Sequence, residues 1–280
     1  MDSALHFRGS NSPTPSPCIG VFDSGVGGLS VLRSLRIEMP DAPLLYVADS
    51  AHAPYGERSD AYVLERSRHI MDHLIAQGAI GLVIACNTAT AIAVKELRAS
   101  RPGFPIIGVE PGIKPAVAAT RNDRVGVMAT PGTIASAKFQ ALMAAQAADV
   151  EVIAQPCPGL ARLIEEGDLH SARLRDAVLE HTAPLRAAHV DTVVLGCTHY
   201  PFVHHLIAEA MGPEVTIIDT ADAVARHARN TLFALLPPQA DAFVRLQTTG
   251  DVARLRTIAS AWLPFLCTVE AMPTPTPQAT

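Results

Sequence analysis

Apolar residues along this chain fall into two patterns that alternate. Short continuous runs recur at Ile19–Phe22, Leu44–Ala48, Leu82–Ala85, Ile106–Gly108, Val125–Met128, Val152–Ala154, Val193–Leu195 and Val215–Ile218. Runs that are continuous read as strands buried on both faces of a parallel sheet. Between most of them, apolar positions recur at helical spacing around 29–38, 60–77, 89–99, 133–147, 171–188 and 202–211. Helical patterns follow near 222–235 and 252–262, with weaker strand signals near 243–247 and 266–269. Strand alternating with helix predicts an α/β fold with doubly wound parallel sheets.

The chain also repeats itself. Ile19-Gly20-Val21-Phe22-Asp23-Ser24 matches Val125-Gly126-Val127-Met128-Ala129-Thr130. At nearly the same offset, Leu82-Val83-Ile84-Ala85-Cys86-Asn87-Thr88 matches Val193-Val194-Leu195-Gly196-Cys197-Thr198-His199. Two similar halves facing each other would set Cys86 and Cys197 across a shared cleft, a preferred place for a small-molecule site. The plainer alternative is that βα units all look alike.

Composition narrows the classes. The 280 residues suit one large or two medium domains, and 49% hydrophobic content fits a well-packed core. No apolar run nears the roughly 18 residues that span a bilayer. Residues 1–17 lack the apolar core of a signal peptide, and with the Pro/Thr-rich 273–280 they are expected to be disordered tails. A net charge of −5 without a basic run leaves no nucleic-acid footprint. Five cysteines without a CxxC pair are expected to be reduced thiols in a cytoplasmic protein.

Each of the paired cysteines sits where a strand hands over to a helix. Ligands of open α/β sheets bind at these carboxyl ends, and a helix N-terminus lowers a thiol pKa toward neutrality. His199 is a proton partner for Cys197; Asn87 and Thr88 can hydrogen-bond a carboxylate. The competing reading, a small buried hydrophobe, holds for Cys18, Cys157 and Cys267. A Cys–His acyl-transfer pair leaves the second cysteine unexplained. A metal centre of Cys86, Cys197 and His199 lacks ligand-like spacing. The three lysines, Lys95, Lys114 and Lys138, fall in no Schiff-base motif. In Asp23-Ser24-Gly25-Val26-Gly27-Gly28 the glycines permit positive φ and close backbone approach to a ligand, or the turn is simply tight with Ser24 capping a helix.

Five motifs in order resemble the glutamate racemases, within the cofactor-independent aspartate/glutamate racemases. They are Gly20–Leu29, Pro54-Tyr55-Gly56-Glu57, Ala85–Ala89, Gly126–Thr133 and Leu195–Pro201, and the resemblance runs from residue 18 to about 270. It implies racemisation of glutamate by two bases, with Cys86 deprotonating the D and Cys197 the L enantiomer. Asp23 would assist Cys86; Glu165 and His199 would assist Cys197. Asp23, Ser24, Tyr55, Gly56, Asn87, Thr88, Thr130, Thr198 and His199 would hold substrate through neutral donors rather than an arginine clamp. No metal and no cofactor are implied.

The resemblance further implies a first domain of 18–110 plus 220–272, a second of 111–219, and the active site in the cleft between them. A bacterial cytoplasmic enzyme supplying D-glutamate for peptidoglycan follows, with activation by a cell-wall precursor and homodimerisation as further expectations. Tyr55 as a turn aromatic, Thr130 as a helix cap, His204-His205 as an exposed face and Asp49 and His52 as loop hydrogen-bonders are the plain alternatives. Rival functions are racemisation of aspartate or another acidic amino acid, non-catalytic binding of one, and thiol-peroxidase or redox-sensor chemistry.

Overall fold

The computed structural model describes residues 15–146, 149–238 and 242–273. The tails expected at 1–17 and 273–280 lie outside these residues, except for 15–17 and 273. Ten strands are present among the described residues: β1 (Cys18–Asp23), β2 (Leu44–Ala48), β3 (Ala79–Ile84), β4 (Ile106–Gly108), β5 (Arg124–Ala129), β6 (Glu151–Pro156), β7 (Thr192–Gly196), β8 (Thr216–Ile218), β9 (Val244–Thr248) and β10 (Thr268–Ala271). The helices are α1 (Leu29–Glu38), α2 (Asp60–Ala76), α3 (Asn87–Ser100), α4 (Ile113–Ala119), α5 (Pro131–Ala135), α6 (Ala137–Gln146), α7 (Leu160–Glu165), α8 (Ala172–Ala187), α9 (His204–Met211), α10 (Ala221–Leu232) and α11 (Val252–Trp262).

The strands form two sheets, ordered β10-β9-β2-β1-β3-β4 and β6-β5-β7-β8, and every pairing is parallel. The order β2-β1-β3-β4 of the first sheet recurs as β6-β5-β7-β8 in the second, so the repeat in the sequence is a repeat in topology. Successive strand residues point to opposite faces. Ile19 and Val21 enter one apolar cluster with Leu29 and Leu32 of α1 and Ala225 of α10. Cys18 and Phe22 enter another with Ile70 of α2 and Ala93 of α3. Helices on both faces explain why the strand runs are continuously apolar.

In each sheet the chain leaves the central strand to one side and later returns to the other, which opens a crevice at the carboxyl ends. Asp23 ends β1 and Cys86 lies just beyond β3; in the second sheet Ala129 ends β5 and Cys197 follows β7.

Three expectations need correction. The helix expected over 133–147 is two helices, because Ser136 is extended (ψ 142°) and its hydroxyl donates to Thr133 O and accepts from Phe139 N–H. The helix expected from 202 begins as a 3₁₀ turn, Tyr200–Val203, before α9. Two helices had no sequence counterpart: α4, seven residues with Pro115 inside, and α7, six residues after Gly159 at φ 76°. Both are too short to display a 3.6-residue period.

Candidate active site

Cys86 is the N-cap of α3, and its Sγ accepts from Ala89 N–H at 3.5 Å. The thiol donates to Ser24 Oγ (3.7 Å) and the Ser24 hydroxyl to Asp23 Oδ1 (3.4 Å). Asp23 Oδ2 accepts Gly28 N–H at 2.9 Å. α1 begins at Leu29 with Gly28 as its cap, so Ser24 is no helix cap. Burial, then the charge of Asp23, push the Cys86 thiol well up, against the smaller opposing effects of Ala89 N–H and Ser24. The helix-start expectation of a near-neutral thiol therefore fails here, because desolvation outweighs the dipole. Burial likewise raises the Asp23 carboxyl, opposed by the charge of His199.

The second arm is built differently. Cys197 Sγ lies 3.7 Å from His199 Nδ1, and His199 Nε2 lies 2.6 Å from Glu165 Oε1. The same Glu165 oxygen accepts Val26 N–H at 2.5 Å, so α7 is tied to the turn after β1. Burial alone would lower the imidazole pKa. Hydrogen bonds to Cys197 and Glu165, with the charges of Glu165 and Asp23, outweigh it and hold His199 well above its ordinary range. A protonated His199 is the charge partner that a Cys197 thiolate requires. The charge of a Cys197 thiolate would raise the Cys86 thiol further, and both sulfurs are buried, at 4% and 6% exposure.

The glycines of the first turn serve close packing. A Cβ on Gly25 would lie 1.7 Å from Glu165 Oε1, and one on Gly27 2.3 Å from His199 Nδ1. Neither adopts positive φ, so the positive-φ reason offered for them is replaced by the approach of the second arm.

Hydroxyls from both halves of the chain meet two residues beyond Cys86. Thr88 Oγ1 is 2.9 Å from Thr130 Oγ1, and the Thr130 hydroxyl also donates to Thr133 Oγ1 at 2.9 Å. Thr130 is in addition the cap of α5, accepting Thr133 N–H, as the plain alternative expected. Asn87 is 4% exposed, and neither its Oδ1 nor its Nδ2 has a hydrogen-bond partner. A buried amide with nothing to bond is costly, and here it is a ready donor and acceptor for a ligand.

Thr198 is buried, its carbonyl accepting Ser30 Oγ at 3.2 Å. Gly56 packs on Thr130, while the Tyr55 hydroxyl is committed to Asp49 at 2.5 Å. His204 and His205 are exposed. His52 Nδ1 lies 2.5 Å from the hydroxyl of Tyr62, over whose ring Arg58 stacks. Cys18 and Cys157 are buried thiols raised to about 11 and about 12; Cys267 is half-buried. Thr133 and the Val26 N–H belong to the site and were not singled out from the sequence. Thr133 stands three positions after the cap Thr130, a signal available in the Gly126–Thr133 motif. Among the described residues no group of three or more His, Cys, Asp and Glu side chains could hold a metal.

The family model for Asp/Glu/Hydantoin racemase matches residues 29–228. A glutamate racemase of Ectopseudomonas mendocina is 51% identical over 86% of this chain and 92% of its own length. The crystal structure of a Bacillus anthracis glutamate racemase superposes with TM-score 0.83 at 32% identity, covering 93% of this chain and 98% of that one. An Escherichia coli glutamate racemase structure, in complex with L-glutamate and the activator UDP-MurNAc-Ala, gives TM-score 0.82 at 31% identity, covering 92% and 98%.

Proposed function

The chain belongs to the Asp/Glu/Hydantoin racemase family, among its glutamate racemases, and on that premise we propose that Cys86 and Cys197 invert the α-carbon of glutamate from opposite faces. The observation that carries this reading is a pair of buried thiols at equivalent ends of duplicated strands, each with its own proton partner, and with Glu165 of the second arm bonded to the turn after β1. The domains are taken as 18–110 with 220–272, and 111–219.

With L-glutamate, the Cys197 thiolate, paired with the His199 imidazolium, takes the Cα proton. Cys86, a neutral thiol because burial holds its pKa up, delivers a proton to the other face. With D-glutamate the roles exchange, and Asp23 accepts the Cys86 proton through Ser24. The resting states suit the L-to-D direction; for D-glutamate the Cys86 proton first passes to Asp23 and His199 returns one to Cys197, so that acid and base change places. The Cα–H is weakly acidic, so the barrier falls only if charge developing toward the α-carboxylate meets preorganised donors. Asn87 Nδ2 and the Thr88, Thr130 and Thr198 hydroxyls supply these without a formal charge. Every proton moves through side chains of this chain.

D-glutamate is the product that peptidoglycan synthesis consumes, and the bacterial cytoplasm is the compartment this reading assigns to the enzyme. No helix among the described residues is long and apolar enough to cross a membrane. The activator seen on the E. coli relative makes a cell-wall precursor the effector to try first. The deciding experiment follows optical rotation with L-glutamate and with L-aspartate, in reducing buffer without pyridoxal phosphate. The expected result is racemisation of glutamate with aspartate slower by about 100-fold, the order of discrimination that one methylene supports. Faster turnover of aspartate would transfer the reading to that substrate, and inactivity on both would refute it.

A further inference from the structure

Tyr55, Gly56 and Glu57 form a short strap fastened on both sides of the cleft. Tyr55 Oη donates to Asp49 Oδ2, and Asp49 is wholly buried just beyond β2. Arg66 of α2 grips the same carboxylate with Nε at 2.9 Å and Nη2 at 2.8 Å, and Thr249 Oγ1 donates at 2.9 Å. A carboxylate has about four acceptor positions; all are taken, so Asp49 is not a base. Its own N–H donates to Asp23 O at 3.0 Å, which joins the anchor to the Cys86 arm.

One residue on, Gly56 lies so close to Thr130 that a Cβ would sit 2.5 Å from the threonine Cβ. The next residue, Glu57, reaches the second sheet's side. Its Oε1 accepts Gly159 N–H at 3.1 Å, and its Oε2 pairs with Arg162. Gly159 and Arg162 open α7, the helix that ends in Glu165 and so holds His199. Three consecutive residues therefore connect the β1–β2 ends, the threonine cluster and the helix behind Cys197.

Resting on the racemase reading, we propose that Arg66, through Asp49, and Glu57 are positioning residues that hold this strap closed over bound glutamate. The Glu57 pair is part-exposed, and such pairs contribute little to stability; its value lies in closure. An interaction present equally in the Michaelis complex and the transition state acts on KM and leaves kcat nearly alone. The equilibrium constant of a racemisation is one, so kcat/KM must fall by the same factor in both directions.

The test is steady-state kinetics of Glu57→Ala, Arg66→Lys and the double variant with L- and D-glutamate, alongside thermal denaturation. We expect each single variant to raise KM by about 10-fold in both directions, with kcat within about threefold and its pH profile unmoved. The double variant should raise KM by much less than the product of the two factors, because both act on one strap. Because Glu57 is part-exposed, its variant keeps the test valid should Arg66→Lys fold poorly. An unchanged KM in Glu57→Ala, a fall in Tm without a change in KM, or multiplicative factors would overturn the strap. A wild-type protein inactive on glutamate would overturn the racemase reading instead.

Discussion

Cys86 and Cys197 differ in what they touch. Cys86 has a hydroxyl and, behind it, a carboxyl; Cys197 has an imidazole held by a second carboxylate. Replacing either thiol by serine should lower kcat by about 10³-fold or more while calorimetry still detects glutamate binding, because a hydroxyl is a far weaker acid–base group at the same position. Retained racemisation in either variant would remove the two-base mechanism. Glu165→Gln takes away a charge that keeps His199 protonated. The alkaline limb of the L-to-D rate should then move to lower pH, read from kcat against pH. The raised His199 pKa also acts on stability. A proton bound more tightly in the folded state stabilises it fully below about 6.5, and this contribution is lost as pH rises through the folded value. Tm of the wild type should therefore fall over that window, and Glu165→Gln should flatten the fall.

The two thiols were singled out in the sequence because each cysteine directly follows a strand; a helix starts at once after Cys86, whereas after Cys197 only a 3₁₀ turn from Tyr200 precedes α9. Glu165 was placed only by resemblance, since its partners His199 and Val26 are 34 and 139 positions away. No local pattern signals such contacts.

Among elements, the turn after β1 shows why glycine is needed where no backbone angle demands it. Gly27→Ala would drive a methyl into the His199 ring. Expected are a loss of kcat/KM above about 100-fold and destabilisation of about 1–3 kcal/mol in denaturant titrations, the usual range for overpacking. Ser171→Ala is the contrast. Its hydroxyl caps α8 by accepting Leu174 N–H at 3.3 Å. About 1 kcal/mol of stability should go with kcat unchanged. Long buried strands and long amphipathic helices announced themselves by period. The helix that carries Glu165 did not, since six residues after a left-handed glycine make less than two turns.

At the scale of the molecule, duplication is the organising fact. Two copies of one strand order present their switch points to a common space, and the second copy's cysteine falls where the first copy's does. The copies have diverged in what supports the thiol. That divergence gives the two thiols different neighbours, a hydroxyl backed by a carboxyl on one arm and an imidazole backed by a carboxylate on the other.

The two-base claim is tested most directly by short incubation of the enzyme with L-glutamate in D2O, separating the enantiomers and measuring deuterium at Cα in each. Two separate groups predict deuterium in the newly formed D-glutamate and none in the remaining L-glutamate at early times. Deuterium appearing equally in both, or D-glutamate that keeps its original proton, would mean one group serves both faces and would contradict the account.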